Sequence, residues 1–333
     1  MNLPTFSKNS LLLRGLLLLV FLLPLVLSAK DLTVYTYEGF SSEWGPGPGI
    51  ADSYFERTGI RINYVSFGDA NLIISRLRLE GKNSPADVVI GLDNSLSGQS
   101  SDLFSEHDIE LPDKLKLPKK WNDKKFLPFD FGWFAFVYDS GKLKNPPQSL
   151  RELVGKSKAS VIIQDARSSS PGLGLMLWMA RVFREDKNTA WRLLKPRIKK
   201  ITTGWTEAYS LFLRGEADMV LSYTTSPAYH LNEDGKTDYR FAKFSEGHVL
   251  QIETAGVLKN SKNKKEGLKF LEFLLSDAVQ SKIPKTQWMF PVVPEELPPG
   301  FDEAKIEKTL FFGADELKFI PEWTDTWVDA LGQ

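Results

Sequence analysis

Two short runs place hydroxyls directly ahead of a proline: Ser168-Ser169-Ser170-Pro171-Gly172 and Tyr223-Thr224-Thr225-Ser226-Pro227. Proline fits the first helical position, where its missing N–H costs nothing, and a Ser or Thr before it caps the helix. Each run therefore predicts a helix N-terminus, with Ser170 as the cap of the first. Free amides and a positive dipole end make such a place a seat for an anion such as phosphate. Taken alone, each run reads equally as ordinary capping. Asp69 is placed to cap a third helix, whose apolar Leu72, Ile73 and Leu77 recur at helical spacing before Gly81 stops it. A capping aspartate has a second oxygen to offer a ligand.

Nine Trp, nine Tyr and 22 Phe make the chain 12% aromatic, and aromatic faces suit a cation or a flat heterocycle. Most such rings simply pack in a core. Trp205 follows Gly204 at the start of a predicted helix, and Tyr223 follows a predicted strand, so both sit at the ends of elements where α/β proteins bind ligands. Tyr37, at the end of the first strand, and Trp288, in Gln287-Trp288-Met289-Phe290-Pro291, are further candidates. The chain has no Cys, which removes disulfides, thiolate ligands and a thiol nucleophile. Its three histidines, His107, His230 and His248, show no metal spacing, and no Ser-His-Asp pattern stands out. Gly45-Pro46-Gly47-Pro48-Gly49 resembles a phosphate loop only superficially, because the prolines remove amides and no Gly-Lys-Ser/Thr follows. It reads as a rigid turn.

The elements that must carry these residues alternate in type. Strands are predicted at 32–37, 61–67, 86–90, 131–138, 160–163, 219–222 and 249–257, with helices at 50–57, from 69, from 171 and at 206–214. Alternation at this spacing argues for open α/β sheets with sites beyond the carboxyl ends of the strands. The apolar strand 131–138, followed by Asn145-Pro146-Pro147, marks a first crossing between two lobes, and 249–257 a return. The expected division is 30–130 with about 250–292 in lobe one, about 138–248 in lobe two, and 293–333 assigned to neither. Lys-rich 258–266 and Pro-rich 294–300 read as solvated loops.

Residues 1–29 differ from the rest. Lys8 and Arg14 precede an apolar run from Gly15 to Leu27, and Ser28-Ala29 supply small residues before Lys30, the pattern of a cleavable signal peptide. The apolar run is shorter than the roughly 20 residues a spanning helix needs. Lys plus Arg and Asp plus Glu both number 42, and removing Lys8 and Arg14 leaves 40 cations against 42 anions, a net charge of −2. No broad basic field points to nucleic acid.

The segments 33–37, 41–48, 76–93, 144–150, 204–209 and 221–230 together resemble the periplasmic thiamine-binding proteins of enteric and related bacteria. The likeness is dense from residue 31 to about 292 and weakest after Pro299. It implies an α/β periplasmic-binding-protein fold of type II, with two crossing strands as hinge, secreted to the periplasm and delivering thiamine or its phosphates to the permease and ATPase subunits of an ABC importer. Thiamine offers a cationic thiazolium, a flat aminopyrimidine and a hydroxyethyl arm that can carry phosphate. Each well-placed aromatic face is worth roughly 0.5 to 2 kcal/mol to the cation. The resemblance assigns Trp205, Tyr223 and Asp69 to the ligand, with Ala70 standing where the family pattern has Gly, and favours contact for Ser169, Ser170, Thr224, Thr225 and Ser226. No metal and no cofactor beyond the ligand are expected.

A ferric-iron carrier on a similar scaffold, using Tyr223, Tyr229 and one histidine, is the rival binding reading, though Tyr229 lies six residues from Tyr223 and not beside it. Sugar or polyamine carriage is another. The enzyme rival, a thiamine-degrading transferase, needs a Cys nucleophile that this chain lacks. The expectation is a binding protein and not an enzyme.

Overall fold

The computed structural model describes residues 31–332, so the signal peptide expected at 1–29 lies outside the described residues. Among the described residues eleven strands form a continuous system: β1 (Asp31–Tyr37), β2 (Arg61–Phe67), β3 (Val88–Asp93), β4 (Leu127–Asp139), β5 (Val161–Gln164), β6 (Ile198–Thr202), β7 (Met219–Tyr223), β8 (Tyr239–Phe241), β9 (His248–Val257), β10 (Phe290–Pro291) and β11 (Thr309–Leu310). The main order is β2-β1-β3-β9-β4-β7-β5-β6. β1 runs parallel to β2 over its whole length and also to β3, and β5 runs parallel to β6 and β7. These are the crossover units the alternating elements required. All six residues of β3 are buried, as expected of a strand covered on both faces.

β4 and β9 tie the two halves together. They pair antiparallel from Leu127↔Ala255 to Trp133↔Leu250, after which β4 leaves β9 and pairs with β7 from Phe134↔Tyr223 to Tyr138↔Met219. The change of partner between Trp133 and Phe134 is where one lobe becomes the other. Every residue of β9, and every residue of β4 except Asp139, is buried. The segment after residue 292 divides between the lobes. Val293, Phe301 and Ala304 enter the core around β1, β3 and β9, whereas the helix Ile320–Leu331 packs on the helices Ser170–Phe183 and Lys187–Leu194 of the other half.

Several boundaries differ from the sequence expectation for physical reasons. Gly45 to Gly49 is not a turn: the helix runs Pro46–Thr58 with Gly45 as its N-cap. Both prolines fall in the first turn, where amides have no intrahelical partner. The glycines serve close approach, since a Cβ on Gly45 would lie 2.2 Å from the Gly39 carbonyl oxygen and one on Gly47 2.6 Å from that of Phe40. The N-cap of the helix Ser170–Phe183 is Ser169, one residue before the position expected. The Lys-rich stretch is only partly loop, because the helix Lys264–Leu274 begins inside it and buries Gly267 and Phe270.

Candidate functional site

A cleft of about 630 Å³ opens between the lobes, at the C-terminal ends of β1 and β7 and against the starts of three helices. Asp69 is its structural knot. Its Oδ1 accepts from the Ala70 amide (2.7 Å), capping the helix Ala70–Glu80, and from the Ser170 amide (3.2 Å) at the start of the helix Ser170–Phe183. The amide of Trp205, first residue of the helix Trp205–Leu213, also faces this carboxylate, and the Ser169 hydroxyl lies buried beside it with no hydrogen-bond partner among the described residues. One side chain of lobe one thus sits where three helix N-termini converge, two of them from lobe two. Burial pushes the Asp69 carboxyl up to about 6, against the pull of those hydrogen bonds. The predicted anion seat at Ser170 is therefore already occupied by a carboxylate of the protein.

The aromatic faces are anchored individually. Trp205 stacks on Tyr209 (centroids 4.9 Å, planes 23° apart), and its Nε1 donates to Ser222 Oγ at 2.8 Å. Ser222 Oγ in turn lies 2.8 Å from Ser226 Oγ, which also accepts from the Tyr223 amide. The Tyr223 hydroxyl donates to Gln251 Oε1 at 3.1 Å. The Tyr37 hydroxyl donates to Glu253 at 2.9 Å and accepts from Gln287 Nε2. Trp288 has φ +57°, the left-handed region that a bulky residue rarely enters, and packs edge-on against Tyr229. Such strain at a cleft is held by its surroundings.

Tyr37, Asp69, Ala70, Ser170, Trp205, Tyr223, Thr225, Ser226 and Trp288 all line the cleft, and the structure brings these sequence candidates together. Ser169 and Thr224 are not among the lining residues. Ser169 is fully buried with its hydroxyl unpartnered among the described residues, and Thr224 is buried with its amide donating to the Trp133 carbonyl (2.9 Å). Sequence reasoning missed Trp44, 54% exposed at the mouth, as well as Tyr209, Gln251 and Glu253. Gln251 and Glu253 had a signal: polar residues two apart in an apolar strand share one face. Glu253 is buried, accepts from Gln251 Nε2 (2.8 Å), and its carboxyl is pushed up to about 8, first by burial and further by Asp93 and Asp69. Among the described residues lining the cleft, Lys285 is the one basic side chain, set against Asp69, Glu233 and Glu253.

The histidines are engaged elsewhere. His230 bridges Tyr209 and Asp234, each at 2.9 Å, and His248 accepts from the Phe244 amide with its other nitrogen 2.8 Å from the Phe134 carbonyl oxygen. His107 Nδ1 accepts from the Ile109 amide, and none of the three lines the cleft. Among the described residues no cluster of three or more His, Cys, Asp or Glu is placed to hold a metal.

Two α/β lobes sharing two long strands, with polar and aromatic groups converging between them, define a solute-binding protein of type II. The chain belongs to the bacterial extracellular solute-binding protein family, whose profile matches residues 42–281, and within it to the thiamine-binding periplasmic proteins. It is similar to the thiamine-binding periplasmic protein of Escherichia coli K12, with 46% identity over 313 residues, covering 92% of this chain and 95% of that one. A solved periplasmic thiamin binding protein superposes with a TM-score of 0.89 at 46% identity, covering 92% of this chain and 97% of its own. A ferric binding protein from Campylobacter jejuni gives a TM-score of 0.74 at 19% identity, covering 90% and 99%, which is a likeness of fold alone. The protein is a periplasmic transport component.

Proposed function

We propose that this chain captures thiamine, with or without phosphate on its hydroxyethyl arm, and delivers it to the permease and ATPase subunits of an ABC importer without chemical change. The observation that carries the reading is the pairing of aromatic faces with carboxyls in one cleft: Tyr37, Trp205, Tyr223 and Trp288 beside Asp69 and Glu253. A cationic thiazolium is favoured by both, through ring quadrupoles and through opposite charge, and the flat pyrimidine needs stacking area. The E. coli relative and the solved structure, both at 46% identity, carry thiamine in their names. Iron carriage has the fold in its favour, but the hydroxyl of Tyr223 is engaged with Gln251 and all three histidines lie away from the cleft.

Calorimetric titration with thiamine, together with mass spectrometry of whatever co-purifies from the periplasm, tests the reading. Saturable one-to-one binding is expected. A coloured, iron-loaded protein that ignores thiamine would replace this reading with the rival.

A further inference from the structure

Asp130 and Glu253 are directly opposed on β4 and β9, the two strands common to both lobes. Opposed residues of an antiparallel pair project to one face of the sheet with Cβ atoms about 5 Å apart. Asp130 is fully buried, and neither carboxyl oxygen has a hydrogen-bond partner among the described residues. Glu253 reaches the cleft wall, held by Tyr37 and Gln251. The groups facing the pair are Tyr37 from β1, Asp93 at the end of β3, Asp69 at the start of the helix Ala70–Glu80, and Tyr223 from β7. β10 contributes only the uncharged Pro291 opposite Asp130. Two buried carboxyls this close, with further carboxyls behind them, resist ionising together.

We propose that Asp130 and Glu253 form a proton-exchanging detector of positive charge: the pair holds a proton in the free protein and releases it to solvent when a cationic ring enters the cleft. The carboxyl O–H bond breaks, its electron pair stays as carboxylate facing the cation, and the proton passes to water or buffer. A neutral ring of the same shape triggers no release and leaves the pair as it was. Selectivity for a cation thus comes from Glu253, the member of the pair at the cleft wall, which is uncharged until the ligand arrives and so spares the wall of the empty cleft a buried charge.

The direction of pH dependence follows. Burial raises both carboxyls, Asp130 well above its ordinary range and Glu253 to about 8; Glu253 raises Asp130 further, while Asp93 and Asp69 raise Glu253. The complex holds fewer protons than the free protein, so affinity rises with pH and levels off above about 8, where Glu253 of the free protein has already lost its proton. Asp69, at about 6, adds to the slope only at the lower end.

The proposal rests on the thiamine reading, and the test separates the two. Thiamine is titrated calorimetrically into the mature chain near neutral pH, in buffers of differing ionisation enthalpy, alongside an analogue with a neutral five-membered ring in place of the thiazolium. For thiamine the apparent enthalpy should vary linearly with buffer enthalpy, reporting release of about half to one proton, and affinity should rise roughly threefold to tenfold from about pH 6.8 to about 7.8. The neutral analogue should show no release. Glu253→Gln should bind thiamine more weakly and release nothing, and Asp130→Asn, which keeps Glu253 but removes its neighbour, should release less than wild type. Thiamine binding with an enthalpy indifferent to buffer overturns the proposal alone, as does equal release with the neutral analogue. No thiamine binding in any buffer overturns the reading beneath it, and the proposal with it. The two-ligand comparison on wild type decides even if neither variant folds.

Discussion

Asp69 shows how one side chain can serve fold and ligand at the same time. It caps its own helix and accepts from the Ser170 amide of the other lobe, yet its burial raises its carboxyl to about 6. A carboxyl whose folded value exceeds its unfolded value of about 3.9 binds its proton more tightly in the native state. The charged form therefore costs stability, with no cost below about pH 4 and the full cost, up to about 3 kcal/mol, above about pH 6. Asparagine caps as well as aspartate and carries no charge. Asp69→Asn should accordingly unfold at higher urea than wild type at pH 7, by about 1 to 3 kcal/mol, with the difference vanishing near pH 4. A difference that stays constant across that range would remove buried charge from the account. The same variant should bind thiamine less well, since it deletes a carboxylate from the cleft. Trp205→Ala is simpler: the loss of a stacked face and its buried area should weaken thiamine binding by about 1 to 3 kcal/mol in calorimetry while the protein stays folded.

Among the elements, the β7 strand and the helix Ser226–Glu233 act as a bracket for that indole. Trp205 Nε1, Ser222 Oγ and Ser226 Oγ form a chain of 2.8 Å contacts running from ring to strand to helix start. Ser222 touches the ligand-facing ring only from behind. Ser222→Ala should therefore weaken binding by about 0.5 to 1.5 kcal/mol, the worth of one hydrogen bond, and by less than Trp205→Ala. An effect as large as that of the tryptophan itself would mean the serine contacts ligand directly. Elements of this kind were legible in sequence wherever a local rule governs them. The cap at Asp69, the stop at Gly81 and the ends of β1 and β7 all follow from short-range chemistry. Tyr209 was not singled out, because four residues on from Trp205 it reads as one more core position of a helix. Gln251 and Glu253 were passed over inside an apolar strand whose partners switch along its length, and pairing of that sort is written in no local pattern. The glycines at 45 and 47 misled for the same reason: their role is contact with Phe40 and its neighbours, not the bend of their own backbone.

At the scale of the whole molecule, the two lobes meet at a few points beyond the shared strands, and those points set how far the cleft can shut. Asn71 Nδ2 donates to the Ala166 carbonyl (3.3 Å), Asp69 receives the Ser170 amide, and Gly204 packs against Gly68 so tightly that a Cβ on Gly204 would stand 2.8 Å from the Gly68 carbonyl oxygen. The backbone of Gly204, at φ −147° and ψ 174°, is ordinary extended geometry that alanine adopts without strain. The obstacle that Gly204→Ala creates is therefore specific to approach of the lobes. Within lobe two the variant should lose only the small preference for glycine over alanine at an N-cap, about 1 kcal/mol or less. Across the cleft a contact below 3.0 Å forces the backbones apart, and with them Asp69 from Ser170 and Trp205, the groups that complete the binding wall. Thiamine affinity should fall roughly tenfold or more, the cost of a population shift away from the closed form. Small-angle scattering gives the independent readout: wild type should contract when thiamine is added, whereas Gly204→Ala should contract less at saturating ligand. If the variant closes fully and binds like wild type, the Gly68–Gly204 contact is incidental, and closure must be set by Asn71 and the Asp69 knot.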